Sequence, residues 1–218
     1  EQKEIVVLTK AQSVELISAC EGTGLHPVVF TALMTGMRRG ELSALRWANV
    51  DLDKGFLLVV EAVEETKGSI RIKEVKTVNG RRRISLPPVA VDFLNHHKAK
   101  EIEKRLRLGL GKDDNAFVFT TQDCRMRSPG LITNRFCKLV KRLGMNISFH
   151  GLRHTHISQL LGDGHPITTV SRRAGHATVS ITLDIYGHVM PDSQESMMVD
   201  FGADFEKAAE QVKNKGRD

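Results

Sequence analysis

The sequence predicts an α+β fold that is mainly helical, with one small three-stranded antiparallel sheet. Apolar residues recur at helical spacing over most of the 218 residues, whereas β-branched residues concentrate between residues 55 and 86. Turn residues separate these segments from one another. With 40% hydrophobic and 27% charged residues, the chain can bury a full core, so we expect one compact domain.

The segment before the strands predicts three helices. Thr9 is an N-cap residue ahead of apolar positions at helical spacing, and the glycines at 22, 24 and 36 are stop signals. The predicted helices cover residues 9–19, residues 26–35, and residue 39 to just before Trp47.

Residues 55–86 predict a three-stranded antiparallel meander. The β-branched runs LLVVEAV, SIRIKEV and RRISL are separated by Lys67-Gly68 and by Asn79-Gly80. An Asn-Gly pair between two strands is a strong hairpin signal, because both residues tolerate positive φ.

Helical spacing returns at the prolines 87 and 88 and dominates the second half. A helix over 88–108 ends at the glycine-rich LGLGK segment, and residues 115–120 are extended. Four further helices are predicted over residues 129–144, 150–161, 166–174 and 179–186. An acidic amphipathic helix over 195–213 follows Pro191, so we expect a domain over 1–190 and a tail over 191–218.

Composition excludes several classes of protein. The longest apolar runs are far too short to cross a bilayer, and the first residues lack the basic-then-apolar layout of a signal peptide. The sequence therefore predicts a cytoplasmic protein. Cys20, Cys124 and Cys137 are odd in number and have no CxxC spacing, which argues against a disulfide framework and a structural zinc site.

The basic residues are unevenly distributed. The formal net charge is +6, but residues 124–162 contain no Asp or Glu, and the basic cluster over 67–83 contains a single acid, Glu74. Such stretches indicate a polyanionic partner, because each Lys or Arg placed against a phosphate releases a condensed counterion. Nucleic acid is the first candidate, and a solvated basic face without a ligand is the alternative.

The segment HGLRHTH places His150 and Arg153 three positions apart at the start of a predicted helix, on one side of it. A positive pair there opposes the helix dipole, which indicates a bound anion. His150 and His154 also have the i, i+4 spacing of zinc-binding helices, with His156 following. No Glu lies between them to act as a base, so we predict no metal site.

Two other segments carry candidate functional residues. TGMRRGEL places Arg38 after a glycine turn, where a guanidinium can meet a phosphate with two parallel hydrogen bonds, and Glu41 could orient it. AGHATVSITLDIYGHV places His176 on a glycine turn and Tyr186, the chain's single tyrosine, ten residues later. The polar and small neighbours of Tyr186 suggest a hydroxyl on a mobile segment. Taken singly, these features also fit a solvated helix start and a packing residue.

Together these segments resemble the phage-integrase family of tyrosine recombinases. The family signature is an Arg in a TGxRxxE turn, a Lys in a β-hairpin, HxxR on a helix, a GH pair, and a Tyr nine or ten residues later. The matching residues occur here in the same order: Arg38, Lys76, His150, Arg153, His176 and Tyr186. The resemblance covers residues 7–190.

The resemblance implies a role for each matching residue. Tyr186 would attack the scissile phosphate, leaving a 3′-phosphotyrosyl enzyme and a free 5′-hydroxyl. Arg38 and Arg153, with a hydrogen bond from His176, would stabilise the charge of the transition state without a metal or any other cofactor. His150 would help to accept the proton of the tyrosine.

The remaining assignments concern the acid and the DNA contacts. Lys76 would protonate the leaving 5′-oxygen, and we prefer it to Lys73 because it lies just ahead of the Asn79-Gly80 turn, although hairpin register is not fixed by sequence. Glu41 would support the Arg38 turn. Basic residues expected to contact DNA are Arg125, Arg127, Arg135, Lys138, Arg172 and Arg173; for the last two a plain surface position is the alternative.

The resemblance also implies partners. Relatives usually carry an N-terminal core-binding domain that nothing in this chain matches, so we expect a fragment of a longer protein. On double-stranded DNA we expect a homotetramer of two synapsed dimers, with the acidic tail docked on a neighbouring protomer. The fragment alone is expected to be a monomer.

Other functions are less consistent with the motifs. A type IB topoisomerase shares the same residue set, but GHATVSITLDIYGHV is more similar to the recombinases. A DNA-binding protein without catalysis would lack the Tyr or an Arg, and neither is missing. A metal-dependent nuclease built on the histidines would lose activity in chelator. Among recombinases, the segment favours phage or mobile-element integration and excision over chromosome-dimer resolution.

Overall fold

The computed structural model describes residues 5–66, 69–75, 80–190, 198–199, 201–203 and 206–207. The helices are α1 (Lys10–Ala19), α2 (His26–Thr35), α3 (Arg39–Ala44), α4 (Pro88–Arg107), α5 (Pro129–Arg142), α6 (Phe149–Gly162), α7 (Ile167–Ala174) and α8 (Val179–Tyr186). The strands are β1 (Val50–Asp51), β2 (Phe56–Val59), β3 (Glu61–Thr66), β4 (Ser69–Glu74) and β5 (Arg82–Ser85). The mainly helical α+β class predicted from the sequence is confirmed.

Local signals set the ends of these helices. The hydroxyls of Thr9, Ser128 and Ser148 accept hydrogen bonds from main-chain N–H groups in the first turns of α1, α5 and α6. Gly36 and Gly175 end α2 and α7 with φ of +65° and +73°, a conformation that glycine adopts without steric cost. The predicted bounds of α1 to α8 therefore lie within two residues of the observed ones.

The strands pair differently from the predicted meander. β2 lies between β1 and β5 in an antiparallel sheet, while β3 and β4 form a separate hairpin. The pairing changes at Val60: Leu57 lies opposite Ile84 in the sheet, and the chain beyond Val60 pairs with β4 instead. Ile70 and Ile72 on β4 are 49% and 40% exposed, and β3 is the one strand that pairs with β4 in the described structure. The predicted meander is therefore wrong in its pairing.

The interior consists of two apolar clusters that meet at α6. The larger one joins α1–α6 with the sheet and includes Leu152 of α6. The smaller one packs Ile157 and Leu161 of α6 against Val170 of α7 and the ring of Tyr186 at the end of α8. Burying each such side chain stabilises the fold by about 1.5–3 kcal/mol. The polar side chains of the first turns of α6 are thereby held at a fixed position between the two clusters.

Some sequence predictions fall on residues that are not described. Lys76 and Asn79 belong to the undescribed residues 76–79, and Lys67-Gly68 separates Thr66 from its strand partner Ser69. Most of the predicted tail helix also lies outside the described residues, although 198–199, 201–203 and 206–207 are helical. Among the helices described, none has the length and apolar character needed to span a membrane.

Candidate active site

A cavity of about 690 Å³ opens where the start of α3, the first turns of α6 and the end of α8 meet. Its walls include Arg38, His150, Arg153, His176 and Tyr186, five of the six residues predicted to be catalytic. Val75 and Gly80, which flank the undescribed residues 76–79, also line it. The structure therefore gathers distant sequence segments around one space, with the two residues that flank the segment 76–79 among its walls.

Arg38 is held by its surroundings on two sides. Its Nη1 donates to Glu41 Oε1 at 3.0 Å, and its Nη2 donates to the main-chain oxygen of Gly175 at 3.0 Å. The main-chain N–H of Arg38 also donates to Glu41 Oε2 at 2.8 Å, which closes the first turn of α3. The side chain is still 42% exposed, so the guanidinium is fixed in position and accessible from the cavity.

Glu41 is a buried carboxylate shared by two arginines. Arg82 on β5 donates to both of its oxygens, at 3.0 and 2.8 Å, and both side chains are 4% exposed. Burial acts to raise the pKa of Glu41, but the hydrogen bonds and charges of Arg82 and Arg38 outweigh it and hold that pKa below its usual value. The predicted support of Arg38 by Glu41 is thus observed as direct contacts.

Sequence reasoning missed Arg82, although a signal was present. The burial of β5 alternates, so that Arg82 and Ile84 point inward while Arg83 and Ser85 are exposed. Ile84 is an evident core residue, and a residue two positions away on a strand shares its face. The middle arginine of RRRISL is therefore the one that belongs inside, and its Nε also donates to the main-chain oxygen of Arg173 at 2.8 Å.

Arg153 is almost completely buried, with 3% exposure. Its Nη1 donates to the main-chain oxygen of Gly36 at 2.7 Å, whereas its Nη2 has no hydrogen-bond partner among the described residues. Burial and the nearby charge of Arg38 lower the pKa of Arg153 to about 10, so the side chain remains a cation at neutral pH. A buried donor without a partner costs about 1–3 kcal/mol, and an anionic oxygen in the cavity would remove that cost.

The guanidinium groups of both arginines form hydrogen bonds with the carboxyl ends of other helices. Gly36 closes α2 and Gly175 closes α7, and their main-chain oxygens accept from Arg153 and Arg38 respectively. The carboxyl end of a helix carries a partial negative charge that favours cations. The two carbonyl oxygens help to hold these guanidinium groups without adding a full negative charge. Glu41 is shared between Arg38 and Arg82, so positive charge still exceeds negative charge among these four side chains.

Tyr186 is 2% exposed, with its ring in the smaller apolar cluster. Its hydroxyl lies 2.6 Å from Nδ1 of His154. Burial raises the pKa of Tyr186 to about 12, so the phenol is protonated at neutral pH. The expectation of a hydroxyl on a mobile segment differs from this structure, because Tyr186 is packed as the last residue of α8.

The histidines around the cavity are neutral. Burial and the positive charges nearby lower the pKa values of His154 and His176 to about 4, and that of His150 is also lowered. His176 Nδ1 pairs with the Thr182 hydroxyl at 2.7 Å, and the His150 and His154 rings meet edge to face at 4.7 Å. At neutral pH these imidazoles can therefore form hydrogen bonds without carrying a positive charge.

The basic residues predicted to contact DNA fall into two groups. Arg125, Arg135, Lys138 and Arg172 are exposed. Arg127 is 6% exposed and donates to the main-chain oxygen of Thr120.

Arg173 is also turned into the fold. Its three guanidinium nitrogens donate to His156 Nε2, to the main-chain oxygen of Ser85 and to that of Met34, at 2.9–3.0 Å. Arg173 is thus engaged by the protein itself, whereas Nε and Nη1 of the buried Arg127 have no hydrogen-bond partner among the described residues. DNA contact by either residue stays a prediction.

Comparison with known proteins gives consistent results. The phage integrase family model matches residues 6–192. A XerC-like tyrosine recombinase of Caldanaerobacter subterraneus subsp. tengcongensis is 30% identical over 203 residues, covering 87% of this chain and 52% of that protein. The ICEBs1 integrase of Bacillus subtilis is 28% identical over 167 residues, covering 76% of this chain and 45% of that protein. The chain thus spans about half the length of the curated relatives it matches.

Solved structures share the fold. The Tn1549 transposon integrase in complex with transposon right end DNA superposes with a TM-score of 0.76 at 23% identity, covering 93% of this chain and 67% of that one. The catalytic domain of bacteriophage HP1 integrase gives a TM-score of 0.61 at 20% identity, covering 91% of this chain and 95% of that one. With the family model matching most of its length and the fold shared, the chain belongs to the phage integrase family of tyrosine recombinases.

Proposed function

We propose that this chain is the catalytic domain of a site-specific DNA recombinase that cleaves and rejoins DNA through a 3′-phosphotyrosyl intermediate. One observation carries the proposal: a single tyrosine hydroxyl and two fixed guanidinium groups line the same cavity. A nucleophile beside a pair of cations suits a reaction at a phosphodiester, whose charge grows as the attacking oxygen approaches phosphorus.

The arginines would bind the two non-bridging oxygens of the scissile phosphate. Arg153 Nη2 has no partner in the described protein, and Arg38 is partly exposed to the cavity, so each can offer a donor. Removing one such donor from a comparable site typically costs a factor of about 10²–10³ in rate. His176, whose Nδ1 is engaged by Thr182, would offer its Nε2 side to the same phosphate.

The chemical step would proceed in line. The Tyr186 hydroxyl gives its proton to a histidine of the cavity and its oxygen forms a bond to phosphorus. The bond from phosphorus to the 5′-oxygen breaks, and Lys76 gives a proton to that leaving oxygen. The phosphotyrosyl link conserves the energy of the phosphodiester. A 5′-hydroxyl from another strand can therefore attack it and restore intact DNA, with the proton returned to the tyrosine.

The biological substrate would be the ends of a mobile element or phage, in double-stranded DNA, with a homotetramer formed on two synapsed sites. Two relatives support this choice by name, since one is the integrase of ICEBs1 and another that of transposon Tn1549. Chromosome-dimer resolution is the second candidate role, and one relative is named as a XerC-like tyrosine recombinase. The acidic tail would dock on a neighbouring protomer in the assembly.

A covalent trap tests the proposed reaction. The full-length protein is incubated with EDTA and a pool of nicked duplexes of randomised sequence, in which the cleaved strand loses a short 5′-hydroxyl fragment and cannot be rejoined. We expect a covalent protein–DNA band on a denaturing gel that requires Tyr186 and does not require metal. A product that survives Tyr186→Phe and disappears in EDTA would instead support a metal-dependent nuclease.

A further inference from the structure

The hydroxyl of Tyr186 is bound by His154, which the family signature does not include. Nδ1 of His154 lies 2.6 Å from the hydroxyl oxygen, and the two rings are tilted by 46° with their centroids 5.7 Å apart. His150, which the resemblance assigns to the proton of the tyrosine, instead packs its ring edge to face against His154. The residue that contacts the nucleophile is therefore one turn further along α6 than the signature histidine.

The chemistry of the two groups decides the direction of this hydrogen bond. Both are neutral in the folded protein, since the phenol keeps its proton and the imidazole does not acquire a second one. A phenol is the stronger hydrogen-bond donor of the two, and an imidazole nitrogen is a stronger acceptor than a phenolic oxygen. The hydroxyl accordingly donates to Nδ1, and the proton of the neutral ring lies on Nε2.

We propose that His154 accepts the Tyr186 proton as the tyrosine attacks phosphorus, an inference that rests on the proposed function. The O–H bond of the tyrosine breaks and its proton passes to Nδ1, while the tyrosine oxygen forms its bond to phosphorus and the 5′-oxygen leaves with a proton from Lys76. On rejoining, the tyrosine oxygen leaves phosphorus and takes the proton back from Nδ1.

The charges around His154 couple this step to DNA. The groups that face it are His150 and Arg153 on α6, Tyr186 on α8, and Arg38 and His176 across the cavity. Burial, together with the positive charge of Arg153, lowers the pKa of His154 and keeps its ring neutral before DNA binds, so Nδ1 can accept a proton. A scissile phosphate among them adds negative charge and stabilises the imidazolium as it forms.

A measurement without DNA tests the hydrogen bond. Because the chain has a single tyrosine, a protein labelled at the tyrosine ζ carbon gives one resonance from Tyr186, and labelled histidine nitrogens report the tautomer of each ring. We expect the Nε2–H tautomer for His154, and a Tyr186 signal that moves in His154→Asn but not in His165→Asn, an exposed histidine after α6. An Nδ1–H tautomer would overturn the proposal, because that nitrogen could not accept a proton.

The kinetic test uses the full-length protein and the trapped duplex. Asn places an oxygen near the position of Nδ1, so His154→Asn can keep the hydrogen bond but cannot take the proton. We expect covalent complex formation to slow by about 10²–10⁴-fold, with a flattened dependence on acidic pH, and His165→Asn to match the wild type. A sulfur in place of the bridging 5′-oxygen needs no proton to leave, so it should rescue Lys76→Ala and leave the His154→Asn defect unchanged.

The outcomes separate this inference from the proposed function. Wild-type or faster cleavage by His154→Asn would overturn the role of His154, since this variant can keep the hydrogen bond but cannot take the proton. Rescue of His154→Asn by the sulfur substrate would place the residue on the leaving-group side and also overturn it. A wild-type protein that forms no covalent complex would overturn the proposed function itself.

Discussion

Glu41→Gln measures how much one buried carboxylate, shared by Arg38 and Arg82, contributes to the stability of the fold. Glu41 is 4% exposed and accepts four hydrogen bonds, two from Arg82 and two from Arg38, at 2.8–3.0 Å. The substitution preserves the volume of the side chain. It removes the negative charge, however, and turns one acceptor atom into a donor that faces guanidinium groups.

The expected loss is large for a single atom exchange. Removing one partner of a buried ion pair destabilises a protein by about 3–5 kcal/mol, because the other charge stays buried without compensation. For a chain of this size, 1 kcal/mol lowers Tm by about 2–4 °C. We therefore expect Tm to fall by roughly 6–20 °C, together with a lower urea midpoint.

The control is the exposed ion pair between Lys10 and Asp163, whose side chains are 69% and 45% exposed. Asp163→Asn makes the same change from acid to amide, and we expect it to cost less than about 1 kcal/mol because water screens the pair. Urea unfolding followed by circular dichroism at neutral pH gives both values. Equal losses in the two variants would refute the argument from burial.

The stability difference between the wild type and Glu41→Gln should depend on pH. The folded pKa of Glu41 lies below its usual value of 4.5, since the arginines overcome the opposing effect of burial. The stability contributed by the carboxylate is thus fully present above that pH and is lost as the pH falls through the folded pKa. The difference between the wild type and Glu41→Gln should therefore narrow below about pH 4.5, and a gap that widened there would contradict the assigned sign.

Three further predictions follow from the same geometry. Gly36→Ala should lose about 1–2 kcal/mol of stability from left-handed strain and about 1–3 kcal/mol from overpacking, because the added carbon would lie 2.5 Å from His156. Gly144→Ala, with φ of +68° and open space around it, should lose only the strain contribution in urea unfolding, and equal losses in the two variants would exclude the clash. Burial and the Arg173 charge lower the pKa of His156 to about 3. The stability contributed by the neutral ring should therefore be fully present above about pH 6.5 and fall by about 1.4 kcal/mol per pH unit toward pH 3. His156→Asn should remove that slope, and an unchanged slope would show that another group causes it. Arg38→Lys should slow covalent complex formation by about 10²–10³-fold, since an ammonium cannot contact Gly175, Glu41 and a phosphate together. Arg107→Lys at the exposed end of α4 should keep the wild-type rate in the same gel assay, and a wild-type rate for both variants would remove Arg38 from the site.

The helices were predictable because their signals are local. Thr9 and Ser148 cap α1 and α6 through hydrogen bonds within one turn, and Gly36 ends α2 by its own conformation. The strand pairing was not predictable because no local signal marks where the pairing changes. The run from residue 56 to 63 shows no break at Val60, yet pairing there passes from β5 to β4, and Val50–Asp51 is too short to be recognised as a strand.

The site shows the same division. The motifs predicted that Arg38, His150, Arg153, His176 and Tyr186 would face one space, and the structure places all five around one cavity. What the motifs did not indicate are contacts between segments far apart in the chain. The Arg82–Glu41 pair joins residues 41 positions apart, and the His154–Tyr186 hydrogen bond joins residues 32 apart. Such pairs depend on the packing of α6 against α8 and of β5 near α3.

The carbonyl oxygens of Gly36 and Gly175 determine how this site responds to substitution. They hold Arg153 and Arg38, yet they belong to the main chain, so an exchange of side chains cannot delete them. Because both glycines have a positive φ, other residues at these two positions would strain the backbone, although glycine itself offers no functional group. The exposed side chains of α5, such as Arg135 and Lys138, can vary without touching these two contacts, whereas the backbone path at the ends of α2 and α7 has to be kept.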